Sequence, residues 1–403
     1  MRTKILLASL AVLLLLIAAF LFRPWSPWSP WKMLGLFSPE LRVQNFQHMD
    51  RIFPSRPLHR STQPFEFDAH PQKLPDSYVF QGRTLPARAF MDKTSTTGLM
   101  VLQHGVILHE EYLLGATETS TLTSWSMAKS VVATLVGIAH GEGRIASLDD
   151  KASKYVPELA GKPYGEATVR DLLRMASGIR FDENYGSLTS DIRQLFYKVF
   201  LFGMPIDDAV KNLPAEDPPG TKFHYKSVDS QVLAWVLRGA TGEPVTQYAQ
   251  QKLWQPLGME DDAFWNLDRA NGNELAYCCL NTTLRDYAKL GQLYLQNGMW
   301  QGRQVLPPDW VKETSQRPEP WLTAGHGYEE RGYGYHWWVP RDPDQEYFAN
   351  GIWGQTIFVA PRAGIVIVKT SVDPDFRPHT AEMIAFMRGI VAGYAQPAQA
   401  TAP

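Results

Sequence analysis

Two side chains in this sequence stand where a nucleophile and its base could meet. Ser126 and Lys129 are three residues apart in Trp125-Ser126-Met127-Ala128-Lys129-Ser130, at the head of an apolar run that reaches Ala139 and stops at Gly141-Glu142-Gly143. Val131, Val132, Leu135, Val136 and Ile138 leave almost no polar face, so the run predicts a helix buried on most sides. On a helix, positions i and i+3 share a face, which brings the lysine amine within reach of the serine hydroxyl. The helix N-terminus contributes free N–H groups and a positive dipole end, suited to a developing oxyanion. Burial disfavours an ammonium, and a neutral lysine beside a serine makes an activated nucleophile. Ser-x-x-Lys alone is a weak signal, so the reading depends on partners elsewhere in the chain.

Such a pair needs a third group to carry a proton to the leaving atom. Phe223-His224-Tyr225-Lys226-Ser227 follows Pro218-Pro219-Gly220 and precedes a helical pattern. A tyrosine in that loop can present its hydroxyl to a cleft, and the nearby lysine would favour its phenolate. A packed aromatic ahead of a helix is the alternative. His224 could tune Tyr225, whereas His104, His109 and His140 fit turns and a helix end.

The elements that must position these groups follow from the rest of the chain. Its 403 residues are 44% hydrophobic and 20% charged, with a net charge of −2, enough for one large core or two joined ones. The balanced charge gives no support for a nucleic-acid partner. Cys278 and Cys279 are adjacent, closer along the backbone than disulfide geometry favours, and read as small buried residues. No zinc-ligand spacing, Walker loop, His-Glu-x-x-His or Gly-x-Ser-x-Gly elbow occurs, and neither a metal nor a cofactor is expected.

Arg2 and Lys4 precede an unbroken apolar run from Ile5 to Phe22, long enough to span a bilayer and followed by no clean cleavage site. The run predicts a single N-terminal anchor that places the remainder outside the cytoplasm, with a cleaved signal peptide as the alternative. Trp25, Trp28 and Trp31 recur every three residues among prolines, as an aromatic collar on a polyproline II segment would. Residues 1–36 are therefore anchor and collar, and 37–97 an irregular wrapping segment. Leu99 to Leu108 predicts a β-hairpin turning at His104-Gly105. Strand patterns return at Tyr333–Pro340, Glu346–Ala349, Thr356–Val359 and Ile365–Thr370, and a helix over Thr380–Tyr394 closes the fold. Between them, 146–300 reads as an all-α insert. The architecture expected is α/β (α+β): an antiparallel sheet built from 98–145 and 301–395 and flanked by helices, an inserted helical domain, and a tail at 396–403.

Four motifs occur in order: Ser126-Met127-Ala128-Lys129, Leu172-Leu173-Arg174-Met175-Ala176-Ser177-Gly178, Tyr225-Lys226-Ser227 and Gly351-Ile352-Trp353-Gly354-Gln355. Together they resemble the class C β-lactamase-like serine hydrolases, whose fold is shared with penicillin-binding DD-peptidases. Within that group the pattern is most similar to 6-aminohexanoate-dimer (nylon-oligomer) hydrolases and family VIII carboxylesterases. The resemblance implies Ser126 as the acylated nucleophile, Lys129 as its proton acceptor and Tyr225 as the base or acid facing the leaving group. It implies an oxyanion hole from the backbone N–H groups of Ser126 and Ile352. Tyr185, Ser227, Asn350, Gly351 and Trp353 are implied to contact substrate; Trp353 and Phe348 are read as lining the acyl pocket, with core packing as the alternative.

Two departures bear on substrate. Ser227 stands where the second motif usually ends in asparagine, and Ala349-Asn350-Gly351 carries no lysine or histidine for a substrate carboxylate. Lys369-Thr370-Ser371 mimics that motif but falls on the next strand. A β-lactam or D-Ala-D-Ala substrate would thereby lose a charge contact of about 1.5–3 kcal/mol, whereas an ester or simple amide loses nothing. The expectation is a serine hydrolase acting on a small ester or amide. The alternatives are an inactive cell-wall-peptide-binding scaffold, a DD-peptidase or a β-lactamase. Nothing in the sequence sets the oligomeric state.

Overall fold

The computed structural model describes residues 1–22, 26, 29, 32–33, 35–315 and 319–395. Its backbone is an eight-stranded sheet in the order Arg331–Tyr333, Trp338–Pro340, Tyr347–Gly351, Gln355–Ala360, Ile365–Ser371, Thr96–Gln103, Val106–Tyr112, Asp68–Ala69. All neighbours are antiparallel except the last pair. The adjacent strands Ile365–Ser371 and Thr96–Gln103 bury residues on both faces, because the pleat sends successive side chains to opposite sides. Met100, Leu102, Val366 and Val368 enter the larger core, while Leu99, Val101, Ile365 and Ile367 enter the second. Each buried aliphatic side chain contributes about 1.5–3 kcal/mol, so the sheet is held from both sides. The hairpin turns at His104-Gly105, with φ of 50° and 79°, as two left-handed positions in a tight turn require.

Helices cover both faces. Met127–Gly141 and Leu284–Leu295 pack on the larger core, and Phe386 and Met387 of Thr380–Ala395 join Phe90 of Ala87–Lys93 on the other. Every residue from Met127 to Ala139 is buried, the physical reason the run lacks a polar face.

Two organisational expectations need correction. The segment 146–300 is not all-α: Ala263–Asn266 and Leu280–Thr282 pair within a four-stranded sheet, between Ser55–Leu58 and Leu122–Thr123. These strands are only three or four residues long, too short to show an alternating pattern. The segment 37–97 is not irregular either. It supplies Ser55–Leu58 to that sheet, Asp68–Ala69 to the large sheet, the hairpin Ser77–Phe80 with Arg83–Pro86, and the helix Ala87–Lys93. Short polar strands of this kind are fixed by their pairing partners rather than by their own composition.

At the N-terminus Arg2–Phe22 is one exposed helix, long and apolar enough to cross a membrane. Trp25, Trp28 and Trp31 of the expected collar lie outside the described residues.

Candidate active site

The serine helix opens at a backbone that ordinary residues avoid. Trp125 has φ 42°, a left-handed conformation that costs a residue of this size of order 1–3 kcal/mol. Its ring is held against Phe37 and Phe46, at centroid distances of 5.7 and 5.1 Å. The turn this creates leaves Ser126 at the mouth of two cavities, 8% exposed.

Lys129 lies directly behind it. Its Nζ is 3.2 Å from Ser126 Oγ, 3.2 Å from Ser227 Oγ and 2.8 Å from the Tyr277 carbonyl oxygen. Burial pushes this amine down to about 7, with the Glu183 carboxylate opposing part of the shift. Near neutral pH a large share of it is uncharged, and its lone pair can receive the Ser126 proton.

Tyr225 joins the pair from the opposite lobe, lining the polar cavity beside Ser126 with its ring centroid 5.2 Å from Lys129 Nζ. The expected phenolate is corrected here. Burial, the dominant effect, raises the Tyr225 hydroxyl well above its ordinary value, so the resting group is a neutral phenol able to donate a proton. The neighbouring motifs explain how it is placed. The His224 N–H donates to the Met175 carbonyl, and Lys226 turns away to a buried cluster with Ser177 and Asp229, 3.4 and 3.7 Å distant. Ser177 Oγ and the Tyr164 hydroxyl hold Asp229 at 2.6 and 2.8 Å. The second and third motifs therefore lock the tyrosine loop against the helix that follows it.

Gly351 ends its strand against the serine turn, where a Cβ would lie 3.1 Å from Ser126 N and clash with the Ser124 carbonyl. Only glycine permits that approach. The N–H groups of Ser126 and Ile352 have no acceptor among the described residues, and both residues line the two cavities. Trp353, at φ 64°, stacks on Phe37 in the apolar cavity, with centroids 5.5 Å apart. Asn350 lines the polar cavity.

Two substrate-contact expectations are corrected. Ser227 is fully buried and lines neither of these two cavities: its Oγ donates to Glu183 at 2.5 Å and accepts from Lys129, linking the two charges. Phe348 is on the far face of the sheet, stacked on Phe358 in the second core. Tyr185 lines both cavities, and its hydroxyl donates to Glu183 at 2.6 Å.

Several participants escaped the motif reading. Glu183 also accepts the Ser227 N–H at 3.0 Å, and its only cue was its position two residues before Tyr185. The Tyr277 carbonyl is a backbone atom and left no cue at all. Cys278 and Cys279, expected as small buried residues rather than a redox pair, are joined in a disulfide on the wall of the apolar cavity. The φ of 70° at Cys279 turns the chain sharply enough for adjacent side chains to meet. The strand Ala349-Asn350-Gly351 carries no cation, but cations reach the cavity from elsewhere. Arg331 and Arg377, from segments with no motif, line the polar cavity, while Lys369 sits apart beneath the Phe90 ring. Among the described residues no cluster of His, Cys, Asp and Glu could hold a metal.

The β-lactamase family model matches residues 87–388. A 6-aminohexanoate-dimer hydrolase from Paenarthrobacter ureafaciens is 29% identical over 311 residues, covering 75% of this chain and 78% of that one. A shorter match, 29% over 151 residues, covers 34% of this chain and 32% of an Escherichia coli protein described as a D-alanyl-D-alanine carboxypeptidase. The structure superposes on a Bacillus anthracis protein described as a 6-aminohexanoate-dimer hydrolase with a TM-score of 0.82 and 26% identity, covering 90% and 97% of the two chains. With an activated serine at the head of a buried helix and a family match across three quarters of its length, the chain belongs to the β-lactamase family and is a serine hydrolase.

Proposed function

We propose that the chain cleaves an ester or linear amide through an acyl-Ser126 intermediate, with Lys129 as base and Tyr225 as acid. The observation that carries this reading is the 3.2 Å contact between Ser126 Oγ and a lysine amine brought to about 7. Ser126 Oγ attacks the carbonyl carbon and its proton passes to Lys129 Nζ. Unpaired N–H groups at Ser126 and Ile352 receive the oxyanion, a contact whose loss costs roughly 3 kcal/mol in acyl-transfer enzymes. As the tetrahedral adduct collapses, the Tyr225 hydroxyl protonates the leaving nitrogen or oxygen and takes a proton back from the Lys129 ammonium. Water then attacks the ester of Ser126 by the same route in reverse. The contact of this amine with Ser126 Oγ favours catalysis over an inactive scaffold.

We further infer that Arg2–Phe22 holds the catalytic body at a bacterial inner membrane, on the periplasmic side, since Arg2 and Lys4 favour a cytoplasmic N-terminus. Two experiments test the reading. Ser126→Ala should abolish p-nitrophenyl butyrate turnover, and retained turnover refutes the mechanism. Deleting residues 1–22 should move the protein from the membrane to the soluble fraction. A wild-type chain already shortened at its N-terminus would show a cleaved signal instead.

A further inference from the structure

Two cavities of different character meet at Ser126, and their chemistry restricts the substrate. The apolar one, about 580 Å³, is walled by Phe37, Phe53, Phe196, Phe200 and Trp353; among the described residues it has no carboxylate on its lining, and its two cations are Arg193, which donates to the Tyr185 carbonyl, and Arg377, shared with the polar cavity at the rim. The polar one, about 530 Å³, contains Tyr225, which the other lacks. The proton donor for the leaving group therefore stands on the polar side. The leaving group occupies that side and the acyl group the apolar one.

Arg331 is the unusual feature of the polar cavity. It is 8% exposed, its guanidinium carbon 3.9 Å from the Trp338 ring centroid and 4.7 Å from that of Tyr328. Trp338 in turn stacks on Tyr225, with centroids 5.2 Å apart. A guanidinium has five N–H donors, and here one long hydrogen bond, 3.4 Å to Asn350 Oδ1, uses one of them. Nε is buried without a hydrogen bond, 3.4 Å from Glu330 Oε1. A buried cation so sparsely bonded is costly unless a ligand completes it, and a planar fork of donors matches a carboxylate. Arg377, exposed at the rim and in contact with the Tyr185 and Phe376 rings, adds a second cation with no carboxylate partner among the described residues. Of the acids on the same cavity, Glu183 is engaged by Ser227 and Tyr185, Glu330 pairs with Arg331, and Asp182 accepts the Asn184 N–H.

We propose that the substrate is an amide or ester joining an uncharged apolar acyl group to a leaving group that carries a carboxylate, with the acyl chain beside Phe37 and Trp353 and the carboxylate on Arg331. The assignment rests on the acyl-Ser126 reading. It separates this chain from an enzyme for a 6-aminohexanoyl donor, whose ammonium would find no acid in the apolar cavity. In the proposed reaction the acyl C–N bond breaks, the carbonyl carbon passes to Ser126 Oγ, and Tyr225 protonates the departing amino acid. Water then releases the fatty acid.

The test compares three amides: N-octanoyl-4-aminobutanoate, N-octanoyl-butylamine, and N-(6-aminohexanoyl)-4-aminobutanoate. Active sites are counted by fluorophosphonate labelling. Wild type should favour the first over each of the others at least tenfold in kcat/KM. Arg331→Gln should reduce the preference over the butylamide to less than threefold, and Arg331→Lys should keep part of it. No carboxylate preference in wild type, or an undiminished one in Arg331→Gln, overturns the proposal. The wild-type comparison decides even if Arg331→Gln does not fold. Failure of labelling together with absence of all turnover would instead refute the serine mechanism itself.

Discussion

Replacing Glu183 by glutamine tests how the lysine is tuned. Glu183 is linked to Lys129 through Ser227 Oγ by hydrogen bonds of 2.5 and 3.2 Å, which puts the two charges within about 6 Å. Its field favours the ammonium, against the burial that disfavours it. At an effective dielectric of about 20–40, a unit charge at that distance is worth roughly 1.4–2.8 kcal/mol, equivalent to about one to two pH units. Lys129 must be neutral to accept the serine proton, so wild-type kcat/KM should rise with pH through a midpoint near 7 and level off above it. In Glu183→Gln, which keeps the shape and acceptor oxygen of the side chain, that rising limb should move to lower pH by about one to two units. The assay is the pH profile of kcat/KM for p-nitrophenyl butyrate between pH 5 and 9. A limb that stays in place, or moves to higher pH, refutes Lys129 as the titrating base coupled to Glu183.

Tyr225→Phe should cost about 10²–10⁴-fold in single-turnover acylation by an alkyl amide. It should cost much less with a p-nitrophenyl ester, whose phenolate leaves unprotonated, and an equal loss on both would remove the acid role. Gly351→Ala, whose Cβ would meet the Ser124 carbonyl and crowd Ser126 N, should lower kcat at least about 10²-fold while circular dichroism stays native. Near-normal turnover in that variant would dissociate the strand end from oxyanion binding. Thiol titration of the denatured, unreduced protein should find no free thiol, and two after reduction. Two from the outset would contradict the Cys278–Cys279 bond.

The parts of the site that were legible in the sequence are those fixed by local geometry. Ser126 and Lys129 meet because helical spacing brings i and i+3 together, and the hairpin at Gly105 follows from two left-handed positions in a row. Tyr225 was placed by its motif, but its protonation was misread, because burial outweighs a neighbouring amine and burial depends on the whole fold. Ser227 shows the same limit: a motif position gave its location but not its direction. Glu183, Arg331 and Arg377 come from a loop, an edge strand and a turn, brought together only by tertiary packing. The strands of 146–300 were hidden because they last three or four residues, fewer than a period-two pattern needs to emerge. The disulfide between adjacent cysteines depends on one left-handed residue, Cys279, that composition does not announce.

The central claim is that a hydroxyl at position 126 carries the acyl group. The direct measurement is mass spectrometry of the intact protein and its peptides, quenched at pH 4 during turnover of a slow octanoyl ester. The predicted result is a mass increase of one octanoyl group on the peptide containing Ser126, absent in Ser126→Ala and accumulating in variants slowed in deacylation. Turnover with no adduct, or an adduct on another residue that survives in Ser126→Ala, would contradict the account.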